Sequence, residues 1–236
     1  MCFSGASALL LETKLRFEEA TGGRIIEGYS LTEAVMATVA TPVMGTYKQG
    51  SIGLPLPDVE VRVVDSDTGT EEVAIDQVGE ILLRAPQLMH GFWERPTETE
   101  NILRDGWLYT GDLGYMDSDG YIFIVDRKKD VIKPSGFQVW PREVEEVLAT
   151  HPAVVEVGVA GVPDAYQVEA VKAWVVLRPD QPVTVEELRE FCRKNLAPYK
   201  VPKHIEFRDS LPKSTIGKIL RRELVRTPEE KGDQPG

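Results

Sequence analysis

A change of residue pattern near residues 126–130 constrains the fold most strongly, because it divides the chain in two. Residues 1–126 carry 8 Lys and Arg against 21 Asp and Glu, a balance of −13. Residues 127–236 carry 19 against 17, a balance of +2. A chain of 236 residues is long enough for each part to bury a core of its own. We therefore predict domains at 1–126 and 127–225, followed by a flexible polar tail at 226–236.

The start of the first part indicates a strand, a helix and a second strand. Residues 1–22 predict a short strand and then an amphipathic helix, with Leu15 and Phe17 among its apolar positions and Gly22 at its end. The residues that follow, 24–29, have the apolar character of a strand.

From about residue 45 the first part is typical of β structure. Val59, Val61 and Val63 alternate with charged residues, which is the period of a half-exposed strand. Turn-forming residues at 117–120 separate two apolar runs and predict a hairpin. Short strands joined by turns favour a small barrel or sandwich over 45–126.

The second part has the pattern of a compact α+β domain. A helix is predicted to begin at Pro141, and Thr184 to Glu187 form a capping box that opens another. Apolar runs at 154–159, 170–177 and 204–207 predict strands. The expected order is strand–helix–strand–strand–helix–strand.

Composition excludes several classes of protein. The chain is 42% hydrophobic and 28% charged, and no run approaches the roughly 20 apolar residues that cross a bilayer. A net charge of −11 argues against general nucleic-acid binding. Two cysteines form neither a disulfide framework nor a metal cluster, and the first residues do not resemble a signal peptide. The expected location is cytoplasmic.

The string Glu27–Glu33 is the first of four that could carry chemistry. Its structural interpretation is a capping box between Ser30 and Glu33. Its functional interpretation combines a helix N-terminus that binds an anion, a threonine hydroxyl as a phosphate donor, a nearby carboxylate for Mg²⁺, and an aromatic ring that stacks on a base.

Two further strings carry charge. Residues 109–114 (YTGDLG) could form a turn in which Asp112 bonds its own backbone, or could offer that carboxylate to the two hydroxyls of a ribose. Residues 126–139 are either a solvated linker or a site where Arg127 binds hydroxyl or phosphate oxygens and Gly136 allows close approach.

The fourth string is 211–222, LPKSTIGKILRR. A lone lysine in a loop is usually solvated, but Lys218 follows Gly217 and could neutralise charge between a phosphate and a carboxylate. The string is not a Walker loop, because the first glycine and its spacing are absent.

Together and in this order, the four strings resemble the motifs of the adenylate-forming family, which includes acyl-CoA synthetases, coumarate-CoA ligases, luciferases and adenylation domains. The resemblance runs from Ser4 to Leu224. It implies the end of the large AMP-binding domain over 1–126, with α/β structure and a β-barrel-like subdomain, and then a mobile α+β domain over 127–225.

The resemblance also implies roles for single residues. In GYSLTE, Tyr29 would lie against adenine, Thr32 would bind the α-phosphate and Glu33 would hold Mg²⁺, while Ser30 replaces the more usual glycine. Asp112 and Arg127 would hold the ribose. Lys129 would be the hinge and Lys218 the catalytic lysine. The remaining matches are nucleotide-binding Gly5, Ala6, Gly28 and Lys133, and coenzyme A-binding Gly136 and Gln138, with Ser135 where several relatives have lysine.

The implied reaction joins a carboxylic acid to coenzyme A with ATP, through an acyl-adenylate. A fatty acid is the preferred substrate and an aryl acid the second. The Ser/Thr/Gly-rich phosphate loop of the family is absent from the sequence, so we expect little activity from this chain without the N-terminal half of the enzyme. Residues 1–40 should expose apolar surface that this half would cover, which favours association, including homo-oligomers, or partial disorder. A non-catalytic nucleotide- or CoA-binding module, or a purely structural fragment, remains the alternative.

Overall fold

The computed structural model describes residues 1–5, 9–35, 37–215 and 217–225. The chain forms two compact units, Met1–Lys129 and Asp130–Gly236, which are considered separately. The tail predicted at 226–236 and the predicted site residue Ala6 lie outside the described residues.

The first unit begins with a four-stranded sheet in the order β1-β2-β3-β4. β1 and β2 are parallel and the other pairs are antiparallel. Gly22 ends the helix in a left-handed conformation (φ 65°), and its N–H donates to the Glu18 carbonyl at 2.9 Å, as the glycine pattern predicts. The elements are β1 (Cys2–Ser4), α1 (Leu11–Thr21), β2 (Ile25–Ser30), β3 (Ala37–Ala40) and β4 (Leu54–Pro55).

Helix α1 buries a charge and exposes apolar side chains. Lys14 is 1% exposed, and its Nζ lies 2.8 Å from a Glu27 carboxylate oxygen and over the Tyr47 ring. Leu15 and Phe17 are exposed, so the amphipathic face predicted for this helix is not the face that it buries here. Exposed apolar surface within residues 1–40 was expected, and it is observed.

The rest of the first unit is an antiparallel sheet in the order β5-β6-β8-β7, with β9 paired to β8. Asp117 accepts hydrogen bonds from the N–H groups of Asp119 and Tyr121, which confirms the predicted hairpin between β8 and β9. The buried side chains of this sheet include Ile81, Leu83 and Leu108. The elements are β5 (Glu60–Val64), β6 (Gly79–Arg84), α2 (Pro96–Ile102), β7 (Leu103–Arg104), β8 (Trp107–Met116) and β9 (Ile122–Arg127).

The second unit packs helices on a three-stranded sheet in the order β10-β11-β12. β10 and β11 are antiparallel, and β11 and β12 are parallel. The capping box of Thr184 and Glu187 is formed, and Pro141 is the first residue of its helix, as predicted. The first strand of the predicted order is not formed within the described residues. An isolated bridge between Ile132 and Val139 stands in its place. The elements are α3 (Pro141–Ala149), β10 (Val154–Asp164), β11 (Val168–Leu177), α4 (Val185–Asn195), β12 (His204–Phe207) and α5 (Arg221–Val225).

Among the described helices, none combines the length and the apolar character needed to cross a membrane.

Candidate functional site

The candidate site of the first unit centres on Asp112, whose carboxylate is held from two sides. Asp112 lies on β8 and is 4% exposed. The Tyr29 hydroxyl, from β2, donates to its Oδ2 at 2.5 Å. Arg127 is the residue paired with Asp112 across β8 and β9, and its Nε lies 3.1 Å from Oδ1. Three predicted site residues that are distant in sequence therefore meet at one carboxylate.

The protonation of Tyr29 follows from its surroundings. Burial of the ring, and then the neighbouring Asp112 carboxylate, raise the pKa of Tyr29 well above 10.0, its usual value. Both effects disfavour the phenolate, because it would be poorly solvated and would face another negative charge. Tyr29 is therefore a neutral hydrogen-bond donor at physiological pH.

Asp112 is placed by an irregularity in β8 and not by the turn that the sequence suggested. Opposite β6, the register moves from Leu82 paired with Tyr109 to Glu80 paired with Leu113, so three residues of β8 face the single residue Ile81. The Thr110 hydroxyl donates to the Ile81 carbonyl at 2.7 Å. The extra residues re-aim the strand, as bulges do, and bring Asp112 toward Tyr29.

Side chains accept hydrogen bonds from the backbone N–H groups that the bulge leaves without a partner on β6. The Asp112 N–H donates to the Thr110 hydroxyl at 3.0 Å, and the Gly111 N–H donates to the carboxylate of Glu80 at 3.2 Å. Gly111 has a φ of 69°, a conformation that favours glycine. The geometry around Asp112 thus depends on Thr110, Gly111 and Glu80, none of which was a predicted site residue.

A cleft of about 440 Å³ opens in the first unit beside these residues. Two predicted site residues, Glu33 and Arg127, line it together with the predicted hinge residue Lys129. Its other lining residues are Leu31, Phe92, Ile102, Leu108, Tyr109, Thr110, Gly111 and Lys128. The lining combines apolar side chains with three cations and one carboxylate, a combination suited to a small polar ligand with an apolar or aromatic part.

The capping box predicted between Ser30 and Glu33 is wrong. Ser30 is the last residue of β2, and residues Thr32–Ala34 form a single 3₁₀ turn without a side-chain cap. One turn does not provide the N-terminus of a long helix, so any anion here would rely on side chains such as Thr32. Within the described residues, no three His, Cys, Asp or Glu side chains could together hold a metal ion. Glu33 would need ligand oxygens and water to complete the coordination of Mg²⁺.

Two predicted nucleotide-binding glycines pack against the chain itself. A Cβ built on Gly28 would lie 2.4 Å from the Phe3 ring, and one on Gly5 would lie 3.0 Å from the Gly28 carbonyl oxygen. Both positions allow β1 to approach β2 closely. The structure therefore supplies a packing reason for each glycine, while the binding role stays a prediction.

In the second unit, the predicted coenzyme A residues lie on an exposed loop. The bridge between Ile132 and Val139 closes this loop. Ser135 and Gly136 have φ values of 50° and 86°, and no heavy atom lies within 4 Å of a Cβ built on Gly136. Lys133 and Gln138 are also exposed, and the Lys133 N–H donates to the Glu169 carboxylate at 2.6 Å. The loop presents open backbone that a ligand could approach.

Lys218 lies at the end of a tight turn in the second unit. A bridge pairs Lys213 with Ile219, and the Ser214 N–H donates to the Lys218 carbonyl at 2.8 Å. The Lys218 N–H donates to the Ser214 hydroxyl at 3.2 Å, and Gly217 adopts a φ of 80°. The turn holds the Lys218 backbone and leaves its side chain exposed.

Two protein-family models match this chain. The AMP-binding enzyme model matches residues 1–93, and the AMP-binding enzyme C-terminal domain model matches residues 143–218. The chain belongs to the AMP-binding enzyme family. This membership and the observed α/β and α+β architecture agree with the family and the fold class expected from the motifs.

Curated AMP-binding relatives are similar over almost the whole chain. A long-chain-fatty-acid–CoA ligase of Bacillus subtilis is 51% identical over 95% of this chain and 40% of its own length. One from Escherichia coli O157:H7 is 50% identical over 89% of this chain and 37% of its own. The chain thus spans about 40% of the length of the first of these relatives.

Solved structures of AMP-binding relatives share the fold. ATP-bound MatB from Rhodopseudomonas palustris superposes with a TM-score of 0.91 at 34% identity, over 98% of this chain and 45% of that one. The anthranilate CoA ligase AuaEII in complex with anthranoyl-AMP superposes with a TM-score of 0.86 at 34% identity. The match covers 94% of this chain and 43% of that one.

Proposed function

We propose that this chain forms the C-terminal part of an AMP-forming acyl-CoA synthetase, an acid–thiol ligase. The observation that carries the proposal is the Asp112 carboxylate, held by Tyr29 and Arg127 beside the cleft of the first unit. Tyr29 lies on β2 in one sheet, and Asp112 and Arg127 lie on the paired strands β8 and β9 of another, so the two sheets must pack correctly to bring the three motif strings together. Family membership supports the same conclusion.

The proposed first step joins a carboxylic acid to AMP. A carboxylate oxygen attacks the α-phosphorus of ATP, and the bond from that phosphorus to the pyrophosphate oxygen breaks. Asp112 and Arg127 would hold the ribose, Tyr29 the adenine and Thr32 the α-phosphate. Lys218 would orient the acid and stabilise the charge that develops on the phosphate. Magnesium, when bound at Glu33, would neutralise phosphate charge.

The proposed second step transfers the acyl group to coenzyme A. Its thiol loses a proton to solvent, the sulfur attacks the acyl carbonyl carbon, the bond from that carbon to the phosphate oxygen breaks, and AMP leaves. The exposed loop with Gly136 and Gln138 would contact coenzyme A, and rotation of residues 127–225 about Lys129 would separate the two steps.

We propose a long-chain fatty acid as the substrate. The Bacillus subtilis long-chain-fatty-acid–CoA ligase is 51% identical, whereas the anthranilate CoA ligase is 34% identical. An aryl acid is the second candidate, supported by the fold that the two enzymes share. The non-catalytic nucleotide- or CoA-binding module remains the alternative, because the cleft beside Asp112 could bind a nucleotide without a reaction following.

The proposal is tested by ATP–pyrophosphate exchange with long-chain, short-chain and aromatic acids. The purified chain is assayed alone and with the N-terminal portion of the Bacillus subtilis relative added. We expect little exchange alone and restored exchange with the added portion and a long-chain acid. Lys218→Ala should abolish it, whereas Lys194→Ala on the exposed face of α4 should not. Nucleotide binding without exchange under any condition would favour the non-catalytic module.

A further inference from the structure

The three-stranded sheet of the second unit has two faces, which different parts of the chain cover. Helices α3 and α4 cover one face and share a buried cluster with alternate residues of β10; its members include Val144, Leu148, Val157, Val159, Leu188 and Cys192. Because side chains alternate along a strand, Glu156 and Gly158 of β10 belong to the opposite face. There a second buried cluster joins Trp174 of β11 to Leu211, at the start of the string that contains Lys218.

Gly158 allows the turn before Lys218 to lie close to this second face. The bridge between Lys213 and Ile219 closes that turn, which we name the Lys218 turn. A Cβ built on Gly158 would lie 3.2 Å from Ile219 Cγ2 and 2.7 Å from Leu224 Cδ1. Any larger residue at this position would push both apolar side chains away from the sheet. The missing side chain therefore determines how closely the Lys218 turn approaches β10.

Glu156 holds the other side of the Lys218 turn through an ion pair. The Lys213 Nζ lies 2.5 Å from Glu156 Oε1. The second carboxylate oxygen of Glu156 is buried, and among the described residues it has no hydrogen-bond partner. Without Lys213 the carboxylate would be an incompletely solvated charge with no cation beside it, which is unfavourable. The pair therefore keeps Lys213 over β10.

Backbone hydrogen bonds connect the position of Lys213 to that of Lys218. The bridge to Ile219 and the two hydrogen bonds between Ser214 and Lys218 link the ends of the turn. The Ser214 carbonyl also accepts the Gly217 N–H at 2.9 Å. With this many bonds in so short a segment, the turn should move as one piece when Lys213 moves. An ion pair at Lys213 can therefore determine where the Lys218 side chain begins.

We propose that Glu156 is a positioning residue for Lys218 and acts through Lys213. It touches neither the acid nor the nucleotide. The inference rests on the proposed function, in which Lys218 orients the acid and stabilises the charge that develops on the phosphate. Both tasks need accurate placement, since a misplacement of about 1 Å can cost about 100-fold in rate. Displacing the Lys218 turn should therefore slow adenylation without weakening the binding of ATP.

The first measurement locates Lys218 in this chain by pulsed electron paramagnetic resonance. Spin labels are placed at Lys218→Cys and at Lys194→Cys, an exposed position on α4, across the sheet from the Lys218 turn. Cys2→Ser removes the exposed native thiol, and Cys192 is buried and should stay unlabelled. The distance distribution between the two labels then reports the position of the turn, and it needs no ligase activity.

The distance measurement compares the ion pair with a matched control. Glu156→Gln and Lys213→Met should each shift or widen the distribution, and the double variant should change it no more than either single variant. Glu186→Gln removes exposed pairs at the start of α4 and should leave the distribution unchanged. Hydrogen exchange in α3 and β11 verifies that the unit remains folded. An unchanged distribution in Glu156→Gln and Lys213→Met would overturn the proposal.

The second measurement determines whether the position of Lys218 matters for adenylation. ATP–pyrophosphate exchange is assayed with the N-terminal portion of the Bacillus subtilis relative added. Glu156→Gln should lower kcat by about 10- to 100-fold and leave KM for ATP unchanged. Transfer of a supplied acyl-adenylate to coenzyme A should keep its rate, because Lys218 is assigned to the first step alone. Glu186→Gln should alter neither reaction.

The two measurements separate the failure of this inference from the failure of the proposed function. An equal loss in both reactions of Glu156→Gln, or a raised KM with unchanged kcat, would indicate a general structural role and overturn the inference. Exchange that is missing in the unmodified chain under every condition would instead count against the proposed function. The distance measurement alone would then decide whether Glu156 places Lys218.

Discussion

Replacing Tyr29 with phenylalanine isolates the hydrogen bond that holds the Asp112 carboxylate. The lost bond is 2.5 Å long and ends on the carboxylate of Asp112, a residue that is 4% exposed. Hydrogen bonds to charged groups contribute about 1.5–3 kcal/mol, and low exposure places this one toward the upper end. Arg127 at 3.1 Å stays to balance the charge, so we expect the free energy of unfolding of the first unit to fall by about 2–3 kcal/mol.

Tyr109→Phe is the matched control for this experiment. The Tyr109 hydroxyl donates to the neutral Gly69 carbonyl at 3.0 Å, so its loss should cost about 1 kcal/mol. Because two units can unfold separately, the assay is hydrogen exchange of β6 and β8 peptides across a urea titration. If Tyr29→Phe destabilises β8 no more than Tyr109→Phe, the hydrogen bond to Asp112 does not carry the energy assigned to it.

Three further predictions concern pH and packing. The raised pKa of Tyr29 means that its stabilisation is complete below pH 10.0 and is lost as the pH rises toward the raised value. An alkaline titration of unfolding should show this loss of stability, and the loss should be smaller in Tyr29→Phe, because Tyr115 also has a raised pKa. Hydrogen bonds from Lys203, and then from backbone N–H groups, lower the pKa of Asp164 from 3.8 to about 2. The second unit should therefore lose stability as the pH falls from about 4 to 2, and circular dichroism of Asp164→Asn should show a weaker dependence. Gly114→Ala would place a Cβ 2.3 Å from the Phe123 carbonyl oxygen, and urea unfolding should show a loss of about 1–3 kcal/mol; an unchanged midpoint would mean that the strands separate easily.

Local chemistry explains which parts of the fold could be predicted from the sequence. Gly22 ends α1 and Thr184 opens α4, because caps and left-handed turns depend on residues within a few positions. The hairpin turn that begins at Asp117 is local for the same reason. The buried Lys14 could not be predicted, because its partner Glu27 comes from another element.

The candidate site shows the same division. The motif strings indicated Tyr29, Asp112 and Arg127. They did not indicate that the Tyr29 hydroxyl and the Arg127 guanidinium would both contact the Asp112 carboxylate. The turn expected at Asp112 was wrong because β6 decides the geometry of β8, through Ile81 and Glu80. Sequence likeness therefore singled out residues that the fold brings together, and the pairing of β8 with β9 and the packing of their sheet against β2 determined their contacts. The roles assigned to these residues stay predictions until binding is measured.

The contacts of Tyr29 and Arg127 with Asp112 affect the free energy that nucleotide binding could gain in this protein. If ribose hydroxyls bind Asp112 as proposed, they donate hydrogen bonds to a carboxylate that already interacts with Tyr29 and Arg127. Because Asp112 is 4% exposed, a sugar hydroxyl could reach its oxygens only if Tyr29 or Arg127 moved, so the sugar would gain only the difference between its own hydrogen bonds and those that it displaces. Tyr29 would act as an intramolecular competitor, and most of the affinity would have to come from the base and the phosphates. Tyr29→Phe would lower the stability of the protein and raise its affinity for a bare ribonucleoside, so the two properties oppose each other at one hydroxyl.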